Sequence, residues 1–219
     1  MTSTASSTPD RPGAARWVPD GAGIDELTEA AHGCRGCELW HDATQVVFSS
    51  GPPDGDVALV GEQPGDREDR EGEPFVGPAG RVLADALEAA GLDASRVYLT
   101  NAVKHFRNVE RGKRRLHKTP DVAHVRACLP WLGAELSVVR PRVVVALGAT
   151  AARAVLGRAV RIGEVRGQVL EAPDGGARPG ARVVVTTHPS ALLRLRDRSG
   201  WDEAFDALVA DLGVAARAA

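Results

Sequence analysis

The chain has 219 residues, of which 43% are hydrophobic, and its formal net charge at pH 7 is -2. This composition predicts one globular domain with a sizeable core. It excludes nucleic-acid binding through overall positive charge, so any such contact must use a local basic surface. No apolar run approaches the length of a membrane span and no signal-peptide pattern is present, so we expect a cytoplasmic protein without a membrane partner.

The N-terminal segment differs in composition from the rest of the chain. Residues 1–23 are rich in Ser, Thr, Pro, Gly and Ala and lack apolar periodicity. A segment of this kind buries little apolar surface, so we expect a flexible tail over residues 1–23 and a single domain over residues 24–219. A cluster of Gly and Pro at residues 172–180 predicts a surface loop.

Four short runs of apolar and β-branched residues predict strands that are buried on both faces of a parallel sheet. The runs cover residues 57–61, 97–103, 142–147 and 182–187. Helical spacing of apolar residues predicts helices at residues 78–90, 121–139, 150–156 and 202–212. This alternation predicts an α/β fold with a single three-layer α/β/α domain around a central, mostly parallel sheet of four strands.

The segments that follow the strands form the candidate functional site, because open α/β sheets bind ligands at the carboxyl ends of their strands. GEQPG at residues 61–65 follows the first strand, and TNAVK at residues 100–104 ends the second. GAT at residues 148–150 follows the third strand, and HPS at residues 188–190 follows the fourth. We therefore expect a carboxylate, an amide and a histidine to meet in one crevice.

The three cysteines indicate a metal site. Cys34 and Cys37 form a Cys-x-x-Cys pair, and Cys128 lies on a predicted helix. Three cysteines cannot form a closed set of disulfides, whereas their thiolates can bind one metal centre, for which His105 is the most suitable fourth donor. The alternative is a redox pair at Cys34 and Cys37 with a buried thiol at Cys128. The spacing does not separate zinc from iron-sulfur.

A further distinctive segment is the basic loop KRRLH at residues 113–117. Neighbouring positive charge disfavours protonation of an imidazole, which makes His117 a candidate nucleophile. A solvated basic loop with an incidental histidine is the alternative.

Six segments, in chain order, carry a family resemblance: GEQPG, GEPFVGPAG, TNAVKHF, GKRRLH, LGATAARA and HPSALLR. Together they resemble the uracil-DNA glycosylase superfamily, and most closely its UdgX-type branch, which is related to the family 4 iron-sulfur glycosylases. The resemblance extends from about residue 34 to residue 201. Family 4 enzymes have a cysteine at the position of residue 105. This chain has His105 instead, and the UdgX-type branch likewise has a histidine. The resemblance implies a [4Fe-4S] cluster with a structural role, held by Cys34, Cys37, His105 and Cys128.

The resemblance also implies roles for the residues near the strand ends. The Asn101 amide matches the N3 donor and the O4 acceptor of uracil, a pattern that cytosine reverses. The ring of Phe75 stacks on the base, with simple packing as the alternative. His188 donates to uracil O2 as the bond to the sugar breaks. The remaining expected substrate contacts are Gln63, Gly65 and Ser190.

Contacts to DNA are expected from two segments, since the base must leave the stack to reach such a crevice. In the first, residues 190–196, Leu192 and Leu193 are candidate wedges and Arg194 and Arg196 candidate phosphate ligands. An ordinary amphipathic helix start is the alternative. In the second, the basic loop, the residues expected to grip phosphate are Lys113, Arg114 and Arg115.

In the UdgX-type branch the histidine of the basic loop attacks C1′ of the sugar. The resemblance therefore implies a uracil-DNA glycosylase that becomes covalently attached to DNA through His117 after one turnover, with Glu62 orienting or deprotonating the imidazole. An ordinary multi-turnover glycosylase of the family 4 kind and a non-catalytic iron-sulfur DNA-binding protein are the alternatives. We expect uracil-containing DNA, preferably single-stranded, as the partner of a monomeric protein.

Overall fold

The computed structural model describes residues 11–112, 114–174, 177–195 and 197–219. The strands are β1 (Ser49–Ser50), β2 (Val57–Gly61), β3 (Val97–Asn101), β4 (Asn108–Arg111), β5 (Arg114–His117), β6 (Val143–Leu147), β7 (Val169–Glu171) and β8 (Arg182–Thr186). The α-helices are α1 (Ile24–His32), α2 (Asp66–Glu71), α3 (Pro78–Ala89), α4 (Val122–Val139), α5 (Ala149–Leu156), α6 (Ile162–Val165) and α7 (Arg198–Ala218). Short 3₁₀ helices lie at Ala15–Trp17, Glu38–His41, Ala94–Arg96 and Pro189–Arg194.

The central sheet has six strands in the order β1-β3-β2-β6-β8-β7. Its four inner strands are parallel and are the four strands that the apolar runs predict. The short strands β1 and β7 add antiparallel edges, so the expected total of four strands is too low. Strands of two and three residues that are only partly buried carry no apolar run by which the sequence could identify them.

Apolar residues cover both faces of this sheet and form two clusters. On one face, alternate strand residues such as Val60 and Val144 pack with Trp131 of α4 and the small residues of α5. On the other, Leu59 and Val145 pack with residues of α3 and α7. This arrangement confirms the three-layer α/β/α domain, and burial of each such Val or Leu contributes about 1.5–3 kcal/mol to its stability. None of the helices in the described ranges is both long enough and apolar enough to cross a membrane.

The segment before α1 packs against the domain, which corrects the expected tail boundary. Ala14 is 1% exposed, and its backbone N–H donates to the carbonyl of Ala127 on α4 at 2.7 Å. Arg11 forms ion pairs with Glu38 and Asp121. The packed chain therefore begins before residue 24, while residues 1–10 of the expected tail lie outside the described residues. Backbone hydrogen bonds and one buried alanine hold this segment, and neither leaves a periodic apolar pattern in the sequence.

Candidate active site

The four strand-end segments meet at one edge of the sheet, as expected. Gly61 is paired with Asn101 across β2 and β3, so Glu62 emerges beside Asn101. Thr150 lies at the start of α5, one residue beyond the turn that follows β6, and His188 follows β8. Because all four inner strands are parallel, their carboxyl ends share this edge.

His117 reaches this edge on a hairpin and not on a loop, because β4 and β5 form a separate antiparallel pair in which Asn108 lies opposite His117. The Gln63 side chain holds the base of this hairpin. Its Oε1 accepts from the Arg107 N–H at 3.0 Å, and its Nε2 donates to the carbonyls of Arg107 and Lys118 at 3.2 and 3.3 Å. The amide of Gln63, expected to contact substrate, is therefore engaged in joining the two ends of the hairpin.

Arg115 on β5 points towards acidic residues of α2. Its guanidinium contacts Asp66 Oδ1 at 2.7 Å and Asp69 Oδ2 at 2.6 Å, and Asp69 is fully buried. Arg115 is thus paired within the protein and is not free to grip phosphate as expected. Arg114 is exposed and makes no ion pair with the other described residues, whereas Lys113 lies outside the described residues. The acidic partners on α2 were not singled out from the sequence, since nothing local links them to Arg115.

His117 and Glu62 form a histidine-carboxylate pair. His117 Nε2 lies 3.3 Å from Glu62 Oε1, and the His117 side chain is 45% exposed, so a ligand can reach it. Thr150 Oγ1 donates to Glu62 Oε2 at 2.5 Å. Burial raises the pKa of Glu62, but hydrogen bonds from His117 and Thr150 and the proximity of His117 and His188 outweigh it, so that this pKa is lowered. Glu62 is therefore an ionised carboxylate at neutral pH.

The tautomer of His188 follows from its hydrogen bonds. The backbone N–H of Ser190 donates to His188 Nδ1 at 3.1 Å, and Ser190 Oγ lies 2.9 Å from the same nitrogen. Burial lowers the pKa of His188 to about 4, reinforced by His117 and Arg194 and opposed by Glu62. A neutral ring that accepts at Nδ1 carries its proton on Nε2. His188 therefore presents a neutral N–H donor.

Asn101 and Phe75 converge over Gly61. A Cβ added at Gly61 would lie 2.2 Å from Asn101 Oδ1 and 2.8 Å from Phe75 Cζ, so only glycine fits there. Asn101 is 3% exposed and lies at the end of β3. Phe75 has a positive φ of 61°, unusual for a non-glycine residue, and is held by close backbone contact with Gly80. The sequence analysis included Gly61 in the GEQPG segment but did not predict this close contact with Asn101 and Phe75.

Gly65, an expected substrate contact, precedes α2 as its N-cap residue. A Cβ there would lie 2.5 Å from Glu68 Oε2, and Glu68 Oε1 accepts from the Gly77 N–H at 2.9 Å. Glu68 thus joins the GEQPG segment to the loop that carries Phe75. The burial of Glu68 was not predicted from the sequence, in which it is one of several charged residues in a short segment.

The two adjacent leucines of the 3₁₀ helix Pro189–Arg194 have different surroundings. Leu192 is 1% exposed and belongs to the core cluster beside α3 and α7, so it is not the wedge that we expected. Leu193 is 48% exposed. Arg194 is exposed and forms no ion pair within the described ranges, whereas Arg196, the other expected phosphate ligand, lies outside the described residues.

All four expected cluster ligands line one buried cavity, together with Lys104 and Trp131. Trp131 Nε1 donates to Cys34 Sγ, and the Lys104 N–H donates to Cys128 Sγ, each at 3.3 Å. Burial raises the pKa of Cys37 to about 11 and of Cys128 to about 12, and lowers that of His105 to about 4. The thiols therefore need a bound cation to ionise, whereas His105 is already a neutral donor.

These donors line the cavity without converging on one point. Within the described ranges, no three His, Cys, Asp or Glu side chains lie close enough together to ligate a single metal ion.

A buried ion pair fixes the segment between Asn101 and His105. The Lys104 ammonium contacts the Glu135 carboxylate of α4, and neither side chain is more than 1% exposed. The other oxygen of Glu135 accepts from Tyr98 Oη at 2.9 Å and from Thr100 Oγ1 at 2.8 Å. This network ties the end of β3 to the helix that carries Cys128, and no local pattern in the sequence indicates it.

Comparison with known proteins agrees with this architecture. A family model described as the uracil DNA glycosylase superfamily matches residues 48–213. A type-4 uracil-DNA glycosylase of Pyrobaculum aerophilum is 33% identical over 175 residues, which cover 78% of this chain and 85% of the relative. A type-4 enzyme of Thermotoga maritima is 36% identical over 174 residues, covering 79% and 84%. A type-5 uracil-DNA glycosylase of Pyrobaculum aerophilum is 38% identical over 104 residues, covering 47% and 40%. The chain belongs to the uracil-DNA glycosylase superfamily.

Proposed function

We propose that the protein excises uracil from DNA and that His117 then captures the sugar, in the manner of a UdgX-type enzyme. The observation that carries the proposal is the 3.3 Å contact between His117 Nε2 and Glu62 Oε1, at the edge where Asn101 and His188 also lie. The similarity to type-4 uracil-DNA glycosylases supports the excision step. The capture step rests on the position and accessibility of His117.

Recognition of uracil uses Asn101 and Phe75. The Asn101 amide can accept from uracil N3–H and donate to O4, whereas cytosine presents the reverse pattern and cannot form this pair of hydrogen bonds. A site that loses hydrogen bonds in this way discriminates strongly. The Phe75 ring, fixed by its backbone next to Gly61, supplies a face on which the base stacks.

Cleavage of the bond between uracil N1 and C1′ sends its electron pair to the base and leaves positive character on the sugar. The neutral Nε2–H of His188 donates to uracil O2 and stabilises the departing anion. The Ser190 N–H at His188 Nδ1 fixes the tautomer that this donation requires. The ionised Glu62 carboxylate stabilises the developing cation.

Capture forms a bond between an imidazole nitrogen of His117 and C1′. The lone pair of that nitrogen fills the empty orbital at C1′, and Glu62 accepts the proton that the alkylated imidazolium must lose. Because a neutral imidazole joined to C1′ through nitrogen is a poor leaving group, the protein stays attached to DNA. The same residues would direct water to C1′ if the histidine were absent.

The test is a denaturing gel after the protein is mixed with a uracil-containing single strand. We expect a band that resists heat and SDS, absent with a thymine strand, and mass spectrometry should locate the adduct on His117. His117→Ser is expected to release abasic DNA repeatedly. Uracil release in molar excess over wild-type protein, without a resistant band, would instead identify an ordinary multi-turnover glycosylase. Absence of any uracil release would favour a DNA-binding protein without chemistry.

Single-stranded DNA is the proposed preferred substrate, since extruding an unpaired base costs less than opening a duplex. All of the proposed site residues come from one chain, so a monomer is sufficient. Equal single-turnover rates on matched single and double strands would contradict the strand preference.

We also propose that Cys34, Cys37, His105 and Cys128 hold a [4Fe-4S] cluster. Such a cluster supplies covalent cross-links between the N-terminal segment, the end of β3 and α4. His105 is neutral as a ligand must be, and the two N–H groups aimed at Cys34 and Cys128 stabilise thiolate sulfur. A purified, folded protein without iron and without visible absorption would contradict this proposal.

A further inference from the structure

A second concave site adjoins the active site. It has a volume of about 180 Å³ and lies between the start of α4, the start of α5 and residues 159–160. Its walls are mixed, with apolar side chains of Val122, Val125 and Val160 and nearly as much polar as apolar surface. Its charged group is Arg153, and none of the described residues that line it is acidic.

The cavity is connected to the active site through Thr150. This residue lines the cavity and donates its hydroxyl hydrogen to Glu62, the partner of His117. Pro120 lines it as well and follows His117 by only three residues. A group bound in the cavity would therefore lie next to whatever occupies the site at Glu62.

The position of the cavity complements that of the exposed 3₁₀ helix. Leu193 and Arg194 belong to the helix that packs with α3 and α7, on one face of the sheet. The cavity is formed by α4 and α5, which cover the other face. A DNA strand held at the sheet edge must leave it in two directions, and these two surfaces lie on either side of that edge.

The chemistry of the cavity fits one nucleotide. The valine side chains in its walls can accept the face of a base. Arg153 is only partly exposed and forms no ion pair within the described part of the chain, so its guanidinium is available for a phosphate. Lys118 and Arg158, both exposed, adjoin the lining residues in sequence and add positive charge near the rim.

We infer that this cavity binds the nucleotide that adjoins the deoxyuridine in the same strand, with its base against the valine side chains and its phosphate on Arg153. The inference rests on the proposed function, because it takes the strand to pass through the site at Glu62. It adds a base-binding and phosphate-binding subsite to the residues considered so far.

The test measures binding of a labelled single strand by fluorescence anisotropy. The strand carries a central 2′-fluoro-deoxyuridine, whose glycosidic bond resists cleavage. Arg153→Gln is expected to raise the Kd about 10-fold, and to reduce the slope of log K against log salt concentration by about 0.7, the contribution of one phosphate contact. Arg153→Lys should restore the slope. Arg161→Gln is the matched control, because Arg161 is highly exposed, pairs with Glu164 and does not line the cavity.

Shortened strands identify the nucleotide. One strand lacks all nucleotides on the 5′ side of the fluorodeoxyuridine, and a second lacks all nucleotides on its 3′ side. The effect of Arg153→Gln on Kd should vanish with only one of these two strands, and that strand identifies the neighbour bound in the cavity. Replacing the base of that neighbour by an abasic spacer should weaken binding to the wild-type protein several-fold. The abasic-spacer measurement uses wild-type protein and so remains informative if Arg153→Gln does not fold.

The inference is overturned if Arg153→Gln matches Arg161→Gln in both Kd and salt slope, or if the effect of Arg153→Gln survives both truncations. Failure of the proposed function has a different signature. In that case the wild-type protein neither prefers fluorodeoxyuridine to thymidine in the strand nor releases uracil from an ordinary uracil-containing strand.

Discussion

Replacing Thr150 with valine tests how the carboxylate of Glu62 is held. Thr150 Oγ1 donates a 2.5 Å hydrogen bond to Oε2, whereas His117 Nε2 lies 3.3 Å from Oε1. The hydroxyl therefore fixes one carboxylate oxygen and leaves the other facing the imidazole. Valine has nearly the shape of threonine and removes this bond while it preserves the packing at the start of α5.

The size of the effect follows from the charge and exposure of Glu62. A hydrogen bond to a charged group contributes about 1.5–3 kcal/mol. The Glu62 side chain retains 21% exposure, so water compensates in part and the lower value of about 1.5 kcal/mol applies. If the bond matters fully in the transition state, adduct formation by Thr150→Val should be slower by roughly 10-fold.

The pH dependence gives a second measure. Burial raises the pKa of Glu62. Hydrogen bonds from His117 and Thr150, together with the nearby imidazoles of His117 and His188, have a larger opposite effect, so the pKa is lowered. Loss of the Thr150 bond raises this pKa. The carboxylate is present above its pKa, so the variant loses it at a higher pH than the wild type does. The acidic limb of the rate profile should move to higher pH.

The assay is single-turnover adduct formation on a uracil-containing single strand, sampled on denaturing gels from about pH 4 to pH 8. Thr150→Ser keeps the hydroxyl and should behave as the wild type. Titration of the Glu62 carboxyl carbon by NMR, without DNA, should show the same upward change of pKa in Thr150→Val. A rate, an acidic limb and a carboxyl titration that all match the wild type would refute the positioning role.

Three further predictions follow from the site geometry. Gln63→Ala removes three hydrogen bonds at the hairpin base, so the Lys118 amide should exchange faster with deuterium and adduct formation should slow by about 10-fold. Leu192→Ala should lower the free energy of unfolding by about 2–5 kcal/mol in denaturant titrations, whereas Leu193→Ala should change it by less than about 0.5 kcal/mol and weaken DNA binding. Because burial lowers the pKa of His188 to about 4, its neutral donor form persists well below pH 7. The rate of uracil release, measured by chromatography, should therefore show no decrease due to protonation of His188 between about pH 7 and pH 5.

The inner sheet and the position of the site were predictable from the sequence. Strands buried on both faces leave continuous runs of Val, Leu and Ala, and those runs mark the four parallel strands. Once the strands are parallel, the segments after them must share one edge. The convergence of Glu62, Asn101 and His188 therefore followed from topology, without knowledge of any contact between them.

The partners of charged residues were not predictable. Arg115 pairs with Asp69 from 46 residues away, and Lys104 with Glu135 from 31 residues away. Only the folded chain decides which opposite charge each cation meets. Leu192 and Leu193 have equal hydrophobicity and adjacent positions, and only the direction of a short 3₁₀ helix makes one of them core and the other surface.

The anchoring of the hairpin bears on the competition between histidine and water for C1′. Gln63 holds both ends of the hairpin, and Arg115 ties β5 to the buried Asp69, so His117 is held at Glu62 although its own side chain is half exposed. Water is abundant at such a surface. The histidine reacts with C1′ faster than water does only if it is held close to C1′ in a fixed orientation, because effective molarity depends on orientation. In the proposed function, uracil release depends instead on Asn101 and His188 at the sheet edge. Loosening the hairpin should therefore divert product from adduct to free abasic DNA before it slows the release of uracil.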